Sequence, residues 1–228
     1  MNETTTAKID WVSGRWEKNR KKYMATVLGP AVACAEEYLN EVLGVEPTTT
    51  RVIPYLTIRS NLARGVSVSA TAMELYFSRI EIDRKKLESK ECEITSTCVH
   101  EMAHGVREKY FPNTSVLIER IASEGIAYTA QAYAEQDIFD IPYEKTVLLD
   151  TLEVEALADE LYQDPACFEV IPELTHEEVW ANPWLYAAKK VPFAWGQRLG
   201  IWCVQSLVKD GYDFPALMMM PPEEIIAL

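Results

Sequence analysis

The chain has 228 residues, of which 48% are hydrophobic and 25% charged, a composition typical of a globular protein and not of disordered or fibrous chains. Its formal net charge of -13 at pH 7 argues against nucleic acid or anionic membranes as partners, because both need a basic protein surface. No stretch approaches the roughly 20 apolar residues that span a bilayer, and the first residues lack a secretory signal, so we expect a cytoplasmic protein.

The sequence shows no sign of a division into domains. It has no repeat of fixed period, no low-complexity tract and no linker rich in Gly, Ser or Pro. Five scattered cysteines without a CxxC pair indicate reduced thiols rather than a disulfide framework. We therefore expect one domain over residues 1–228, with an N-terminal helical segment (1–50), a sheet with the metal-site helices (51–136) and a helical C-terminal part (137–228).

The N-terminal segment has the spacing of a helix. Apolar residues recur at helical intervals from about Ser13 to Leu43, which predicts a helix over this stretch. Gly29 followed by Pro30 predicts a break in that helix, because proline removes a backbone donor and crowds the preceding turn.

The pattern changes to that of strands between Arg51 and Ile82. Two runs of β-branched and aromatic residues, Arg51–Arg59 and Gly65–Ile80, are separated by a turn-like segment and predict a small antiparallel sheet. Gly65–Tyr76 is the candidate for an exposed edge strand, which would hold an extended peptide through main-chain hydrogen bonds.

Helical spacing returns from about Ser89 and continues to the C-terminal end. The sequence therefore predicts an α+β fold that is predominantly helical, with a small sheet in its first half. The predicted helices are Glu91–Tyr110, Ser115–Gln136, Tyr143–Gln163, Thr175–Lys190 and Ala194–Lys209.

Two of the three histidines of the chain lie four residues apart. On a helix this spacing puts the imidazoles of His100 and His104 one turn apart on one face, where both can reach one ion. A catalytic zinc is held by three protein ligands and a water, whose pKa the metal lowers to about 7. Glu101 is rotated by about 100° from His100, so its carboxylate can hydrogen-bond that water without ligating the ion. The motif predicts a zinc site with Glu101 as the general base.

Chance is a poor explanation of this motif. An i,i+4 histidine pair with Glu in second place arises in roughly 0.3% of chains of this length with three histidines. The alternative that His100 and His104 are ordinary core or surface residues of a helix stays open.

The third ligand must come from elsewhere in the chain. The extended motif HExxHxxGxxH is excluded, because positions 107 and 110 hold Arg and Tyr instead of Gly and His. Glu124 on the next predicted helix is the leading candidate, since Gly125 beside it would let that helix approach the first one closely. Glu119 and Glu135 compete for the role. Two His and one Glu would make a site of the thermolysin kind.

These residues resemble the gluzincin branch of the zincin metallopeptidases, in which His-Glu-x-x-His is followed by a Glu on the next helix. More narrowly, Val99–His104, Ser123–Ala127, Gly196–Gly200 and Pro221–Ile225 resemble a little-characterised family of predicted zinc-dependent proteases with a domain of unknown function. The resemblance implies a zincin-like fold, with a small sheet packed on the motif helix, and a peptide or protein substrate.

The chain departs from the thermolysin-like pattern at one position. In those enzymes an Asp one turn after the ligand Glu supports a metal histidine, whereas this chain has Tyr128 there. The residue that would stabilise the oxyanion of the transition state also stays open. The candidates are His176, Tyr128, Tyr133, Tyr186 and Arg198.

The motif predicts a zinc-dependent hydrolase, and the resemblance makes a metallopeptidase the leading interpretation. The alternative is a non-catalytic zincin-fold binding or regulatory protein with a structural or vestigial metal site. Glu101 weighs against that alternative, because a structural site needs no base. A hydrolase that acts on a non-peptide amide stays open as well.

Overall fold

A computed structural model of the chain describes residues 7–11, 16–57, 64–85, 90–112, 116–142 and 195–226. The described part is α+β and mostly helical, with one small sheet, which confirms the predicted fold class. Two predicted helices, Tyr143–Gln163 and Thr175–Lys190, lie outside the described residues. No helix in the described part has both the length and the apolar composition that a bilayer span requires.

The first helix, α1, runs without a break from Lys18 to Glu37 and continues as a π-helical turn over Tyr38–Val42. The predicted break between Gly29 and Pro30 is therefore wrong. Pro30 is exposed, whereas side chains before and after it are buried in the hydrophobic core. Burial of that face offsets the cost of roughly 3 kcal/mol for a proline inside a helix.

Four strands form one mixed sheet. They are β1 (Lys8–Ile9), β2 (Arg51–Thr57), β3 (Arg64–Ser69) and β4 (Ala72–Ser78). Their order in the sheet is β1-β2-β4-β3. The β1–β2 and β2–β4 pairs are parallel, and only β3 and β4 pair in the antiparallel sense. The predicted antiparallel sheet is thus wrong except for this hairpin.

The hairpin explains the difference. The predicted run Gly65–Ile80 splits at a tight turn between Ser69 and Ala72, and β4 returns between β2 and β3. A strand's partners depend on the path of the whole chain, which the local pattern does not contain. β3 is an edge strand, as predicted for its part of Gly65–Tyr76, whereas β4 lies inside the sheet.

Six further helices complete the described part. Of these, α3 packs against α1, β3, β4 and α4, and α4 packs in turn against α5. Together they are α2 (Arg79–Asp83), α3 (Glu91–Tyr110), α4 (Leu117–Phe139), α5 (Trp195–Lys209), α6 (Phe214–Met219) and α7 (Pro222–Ile226).

The core includes buried residues of the sheet and of α1, α3, α4 and α5. Alternate residues of β4 are fully buried, namely Met73, Leu75 and Phe77, as expected of a strand with one face on the core. On α3 the buried apolar residues include Ile94 and Cys98, and further buried apolar residues follow Cys98 on the same helix. The motif helix is therefore held on both sides by apolar packing.

A buried ion pair joins α3 to the C-terminal helices. The guanidinium of Arg107, fully buried, donates to both carboxylate oxygens of Glu119 on α4 over 2.9 and 2.7 Å. Its Nη1 also donates to the backbone oxygens of Leu217 (2.9 Å), Met218 (3.3 Å) and Met220 (2.7 Å). Carbonyl oxygens at the end of a helix lack hydrogen-bond donors within that helix. Arg107 supplies donors to the carbonyl oxygens at the end of α6.

Candidate metal centre

The two motif histidines face each other on α3. His100 is buried and His104 half-buried, and their Nε2 atoms are 3.1 Å apart. The rings meet edge to face, with centroids 4.7 Å apart. The i,i+4 spacing thus brings two ring nitrogens to one point, as predicted.

Glu124 approaches the same point from α4. Its Oε2 lies 3.8 Å from Nε2 of His100, and its Oε1 lies 3.9 Å from Nε2 of His104. One ligand atom from each of the three residues lies within 4.8 Å of the other two. Ligand atoms around a tetrahedral ion with bonds of about 2.0–2.1 Å are about 3.3 Å apart. The observed distances bracket that value, so the three side chains can hold one metal ion.

Both imidazoles are in the form that binds metals. Burial lowers the pKa of His104 to about 4, and the charge of Arg120 acts in the same direction. Burial, followed by the nearby His104, also lowers the pKa of His100 well below its usual value. Neutral imidazole is the metal-binding form, so neither histidine needs to lose a proton at neutral pH.

Glu101 stands outside this ligand group. It is buried on α3, and its side chain lies directly against the backbone of β3 at Gly65. Burial, then the charge of Glu124, raises the pKa of Glu101 to about 8, although a hydrogen bond from the backbone of Ser67 opposes the rise. That pKa leaves Glu101 mostly protonated at neutral pH, and a cation held by the neighbouring ligands would favour the carboxylate form that a general base requires.

The competing acids are engaged elsewhere. Glu119 is paired with the buried guanidinium of Arg107, and Glu135 accepts a hydrogen bond of 3.0 Å from Gln131. Neither belongs to the ligand group, which leaves Glu124 as the acid that the described structure brings to the two histidines.

Two polar residues of α4 adjoin the histidines and were not singled out in the sequence. The Oγ of Ser123 lies 2.8 Å from Nδ1 of His104. Gln131 lies beside His100 and favours its protonated form, but no hydrogen bond to the buried Nδ1 of His100 meets the usual geometry among the described residues. Two sequence signals could have pointed to Ser123, namely its position immediately before Glu124 and its place in the segment Ser123–Ala127 behind the family resemblance.

The C-terminal helix α5 also reaches the site. Nε2 of Gln197 donates to the hydroxyl of Tyr128 over 3.2 Å and lies 3.5 Å from Oε2 of Glu124. The ring of Tyr128 packs edge to face on His100, with centroids 4.5 Å apart. Gln197 falls in one of the segments behind the predicted family resemblance, but nothing in its spacing connects it to Glu124.

The candidate residues for stabilising the transition state lie at different places in the structure. Tyr128 lies at the site, whereas the ring of Tyr133 packs against Phe214 of α6. Arg198 follows Gln197 on α5 and is half-buried. The two remaining candidates, His176 and Tyr186, lie outside the described residues.

The predicted reason for Gly125 is wrong. A Cβ atom at Gly125 would lie 2.2 Å from the backbone of Gly200 on α5. The missing side chain therefore admits α5, and not α3, to close contact with α4. Gly125 is therefore needed for the contact of α4 with α5.

Comparison of the chain with models of protein families, with curated proteins and with solved structures found no match. The likeness to gluzincins therefore stays a prediction from short motifs.

Proposed function

We propose that the chain is a zinc-dependent hydrolase with a zincin-like fold, and more specifically a metallopeptidase of the gluzincin type. The observation that carries this proposal is the convergence of His100, His104 and Glu124 on one point, with Glu101 buried beside them and outside the ligand group. Structural zinc sites usually close with four protein ligands, whereas catalytic sites use three and keep a position open. The described residues offer three.

Zinc, when bound, supplies a Lewis acid that polarises the scissile carbonyl and activates water. The three ligands hold and orient it. Glu101 takes the proton of the attacking water and passes it to the leaving amine. Tyr128 and Gln197 line the same site and hold one side of Glu124 in place.

The sheet edge supports a peptide as substrate. β3 is the edge strand and packs on α3, so its backbone borders Glu101. Val68 on this strand is 52% exposed. An extended peptide can pair with such an edge through main-chain hydrogen bonds, which bind a backbone of any sequence.

The direct test combines zinc analysis with peptide digestion. We expect the purified protein to bind one zinc ion and to cleave members of a mixed peptide library. A zinc chelator should abolish cleavage, and added Zn²⁺ should restore it. Glu101→Gln should bind zinc like the wild type but turn over at least about 100-fold more slowly, because the general base is lost. Glu41→Gln, at an exposed position of the π-helical turn, is the matched control.

Two outcomes would contradict the proposal in different ways. Full activity of Glu101→Gln would remove Glu101 from the mechanism. A wild-type protein that binds zinc and cleaves no peptide would favour the non-catalytic binding protein.

A further inference from the structure

The helix α4 lines the candidate metal centre with a stripe of half-buried residues. Arg120, Glu124 and Tyr128 follow one another at intervals of four positions and are half-buried, whereas the residues between them are buried. This spacing puts the three on one face of the helix. Glu124, in the middle of the stripe, approaches both histidines, so Arg120 and Tyr128 flank the metal centre at its two ends.

Arg120 lies at the His104 end of the site. Three residues after it, Ser123 contacts Nδ1 of His104 over 2.8 Å. Farther along α4, the ring of Tyr128 packs on His100, so α3 and α4 run in opposite directions past the ligand group. Burial and, after it, the charge of Arg120 lower the pKa of His104, which agrees with a guanidinium close to that ring. Arg120 therefore presents a cation beside the proposed reaction centre, at the end away from Tyr128.

No acid in the described part of the chain forms an ion pair with Arg120. By contrast, the half-buried Arg20 is paired with Asp83, and the buried Arg107 with Glu119. Burying part of a guanidinium without an anion costs free energy. A cation in the first turn of a helix is also unfavourable, because the N-terminal end of the helix dipole is positive. Among the described residues Arg120 thus serves neither an ion pair nor its own helix, which favours a ligand as its partner.

We propose that Arg120 determines specificity by binding a carboxylate of the substrate, either an acidic side chain or the C-terminal carboxylate of a peptide. The proposal rests on the proposed function. A guanidinium donates two parallel hydrogen bonds to a carboxylate, which neither a lysine nor a neutral side chain reproduces. The formal net charge of -13 repels an acidic peptide at long range, so a preference for carboxylates must come from a local cation such as Arg120.

Paired peptides test the proposal on the active enzyme. A peptide that the wild type cleaves is synthesised with Glu or Gln at each position near the scissile bond, and each form is made with a free or an amidated C-terminus. We expect kcat/KM for one carboxylate form to be about 10- to 100-fold higher than for its neutral counterpart, the usual effect of a hydrogen bond to a charged group. A preference for Glu over Gln identifies a side chain, and a preference for the free acid over the amide identifies the C-terminus. Equal cleavage of all forms would overturn the proposal.

Arg120→Gln should remove this preference. We expect its KM for the carboxylate peptide to rise about 10- to 100-fold, with kcat and zinc affinity within about 3-fold of the wild type, because substrate binding alone is weakened. Arg120→Lys keeps the charge without the paired hydrogen bonds and should restore part of the loss. Arg84→Gln, at an exposed position after α2, removes the same charge and is the matched control. A loss in Arg120→Gln that neutral peptides share equally would show a structural role and contradict the proposal.

Peptide capture separates this proposal from the proposed function. Glu101→Gln, which should not turn over substrate, is mixed with a peptide library that has free and amidated C-termini, and mass spectrometry identifies the retained peptides. We expect enrichment of one carboxylate form, and none when Arg120→Gln is added to Glu101→Gln. If the wild type cleaved no peptide, the proposed function would fail, whereas capture would still decide whether Arg120 binds a carboxylate. If peptides were cleaved but neither cleavage nor capture depended on Arg120, only the role of Arg120 would fail.

Discussion

A glycine on the neighbouring strand gives Glu101 its position. A Cβ atom at Gly65 would lie 2.1 Å from Cγ of Glu101 and 2.4 Å from its Oε1. Any side chain at this position would overlap the acid, so only glycine lets β3 lie directly against it. The edge strand proposed to pair with substrate therefore also holds Glu101, the proposed general base, in place.

Gly65→Ala should separate catalysis from metal binding. The added methyl group must displace the carboxylate of Glu101, and a misplacement of about 1 Å can cost about 100-fold in rate. We expect kcat to fall about 100-fold while zinc affinity stays within about 3-fold of the wild type, because the ligands are untouched. Gly29→Ala is the control, since a Cβ atom there meets nothing within 4 Å. Unchanged kcat in Gly65→Ala would show that Glu101 does not depend on this contact.

Sequence spacing predicts the candidate metal ligands but not the residues that support them. His100, Glu101 and His104 follow from one helical repeat, and Glu124 follows from the next helix. The contact of Ser123 with His104 depends on how α4 is rotated against α3, which no local pattern encodes.

At the scale of elements, the close contact between α4 and α5 places a residue of α5 beside the candidate metal ligands. A Cβ atom at Gly200 would lie 2.1 Å from the backbone oxygen of Ile121 and 3.0 Å from Cα of Gly125. Gly125 and Gly200 face each other, and the absence of both side chains lets the two helices approach closely. Gln197, one turn before Gly200, therefore reaches Glu124.

Gly200→Ala should force the two helices apart. We expect a loss of about 1–3 kcal/mol in the free energy of unfolding, the usual cost of overpacking, and weaker zinc binding because Gln197 retreats from Glu124. Chemical denaturation and indicator competition measure the two effects. Ser206→Ala, on the same helix and bonded to its own backbone at Trp202 over 3.0 Å, should change neither. A variant as stable as the wild type would contradict the close contact.

The elements differ in how far the sequence predicts them. The bounds of α3, Glu91–Tyr110, were predicted as observed, because an uninterrupted helical pattern covers them. The parallel pairing of β2 with β4 was missed, since β3 lies between them in the chain but outside them in the sheet. The first helix was predicted, but its continuity through Pro30 was missed because burial outweighed a local preference.

At the scale of the whole molecule, Arg107 connects the metal-site helices to the C-terminal end of the chain. Its guanidinium bonds Glu119 on α4 and three carbonyls around the end of α6, and it lies over the ring of Phe111 with 4.0 Å between Cζ and the ring centroid. Every part of this buried cation is engaged, so its removal leaves several groups without partners.

Arg107→Met should destabilise the fold by about 3–5 kcal/mol, because it leaves the carboxylate of Glu119 buried without its cation. The double variant Arg107→Met, Glu119→Leu should be more stable than Arg107→Met alone, since the buried charge is gone. Denaturant unfolding of the single and double variants measures the coupling. If the loss of unfolding free energy in the double variant equalled the sum of the losses in Arg107→Met and Glu119→Leu, the two residues would not be energetically coupled.

In the proposed metal centre, His100, His104 and Glu124 hold one metal ion while Glu101 does not ligate it. Anomalous diffraction at the zinc edge from crystals grown with Zn²⁺ tests this claim most directly. We expect one ion within about 2.0–2.2 Å of both Nε2 atoms and of an oxygen of Glu124, with Glu101 beside it and not bonded to it. An ion held by a different acid, an ion ligated by Glu101, or no ion at this point would contradict the account.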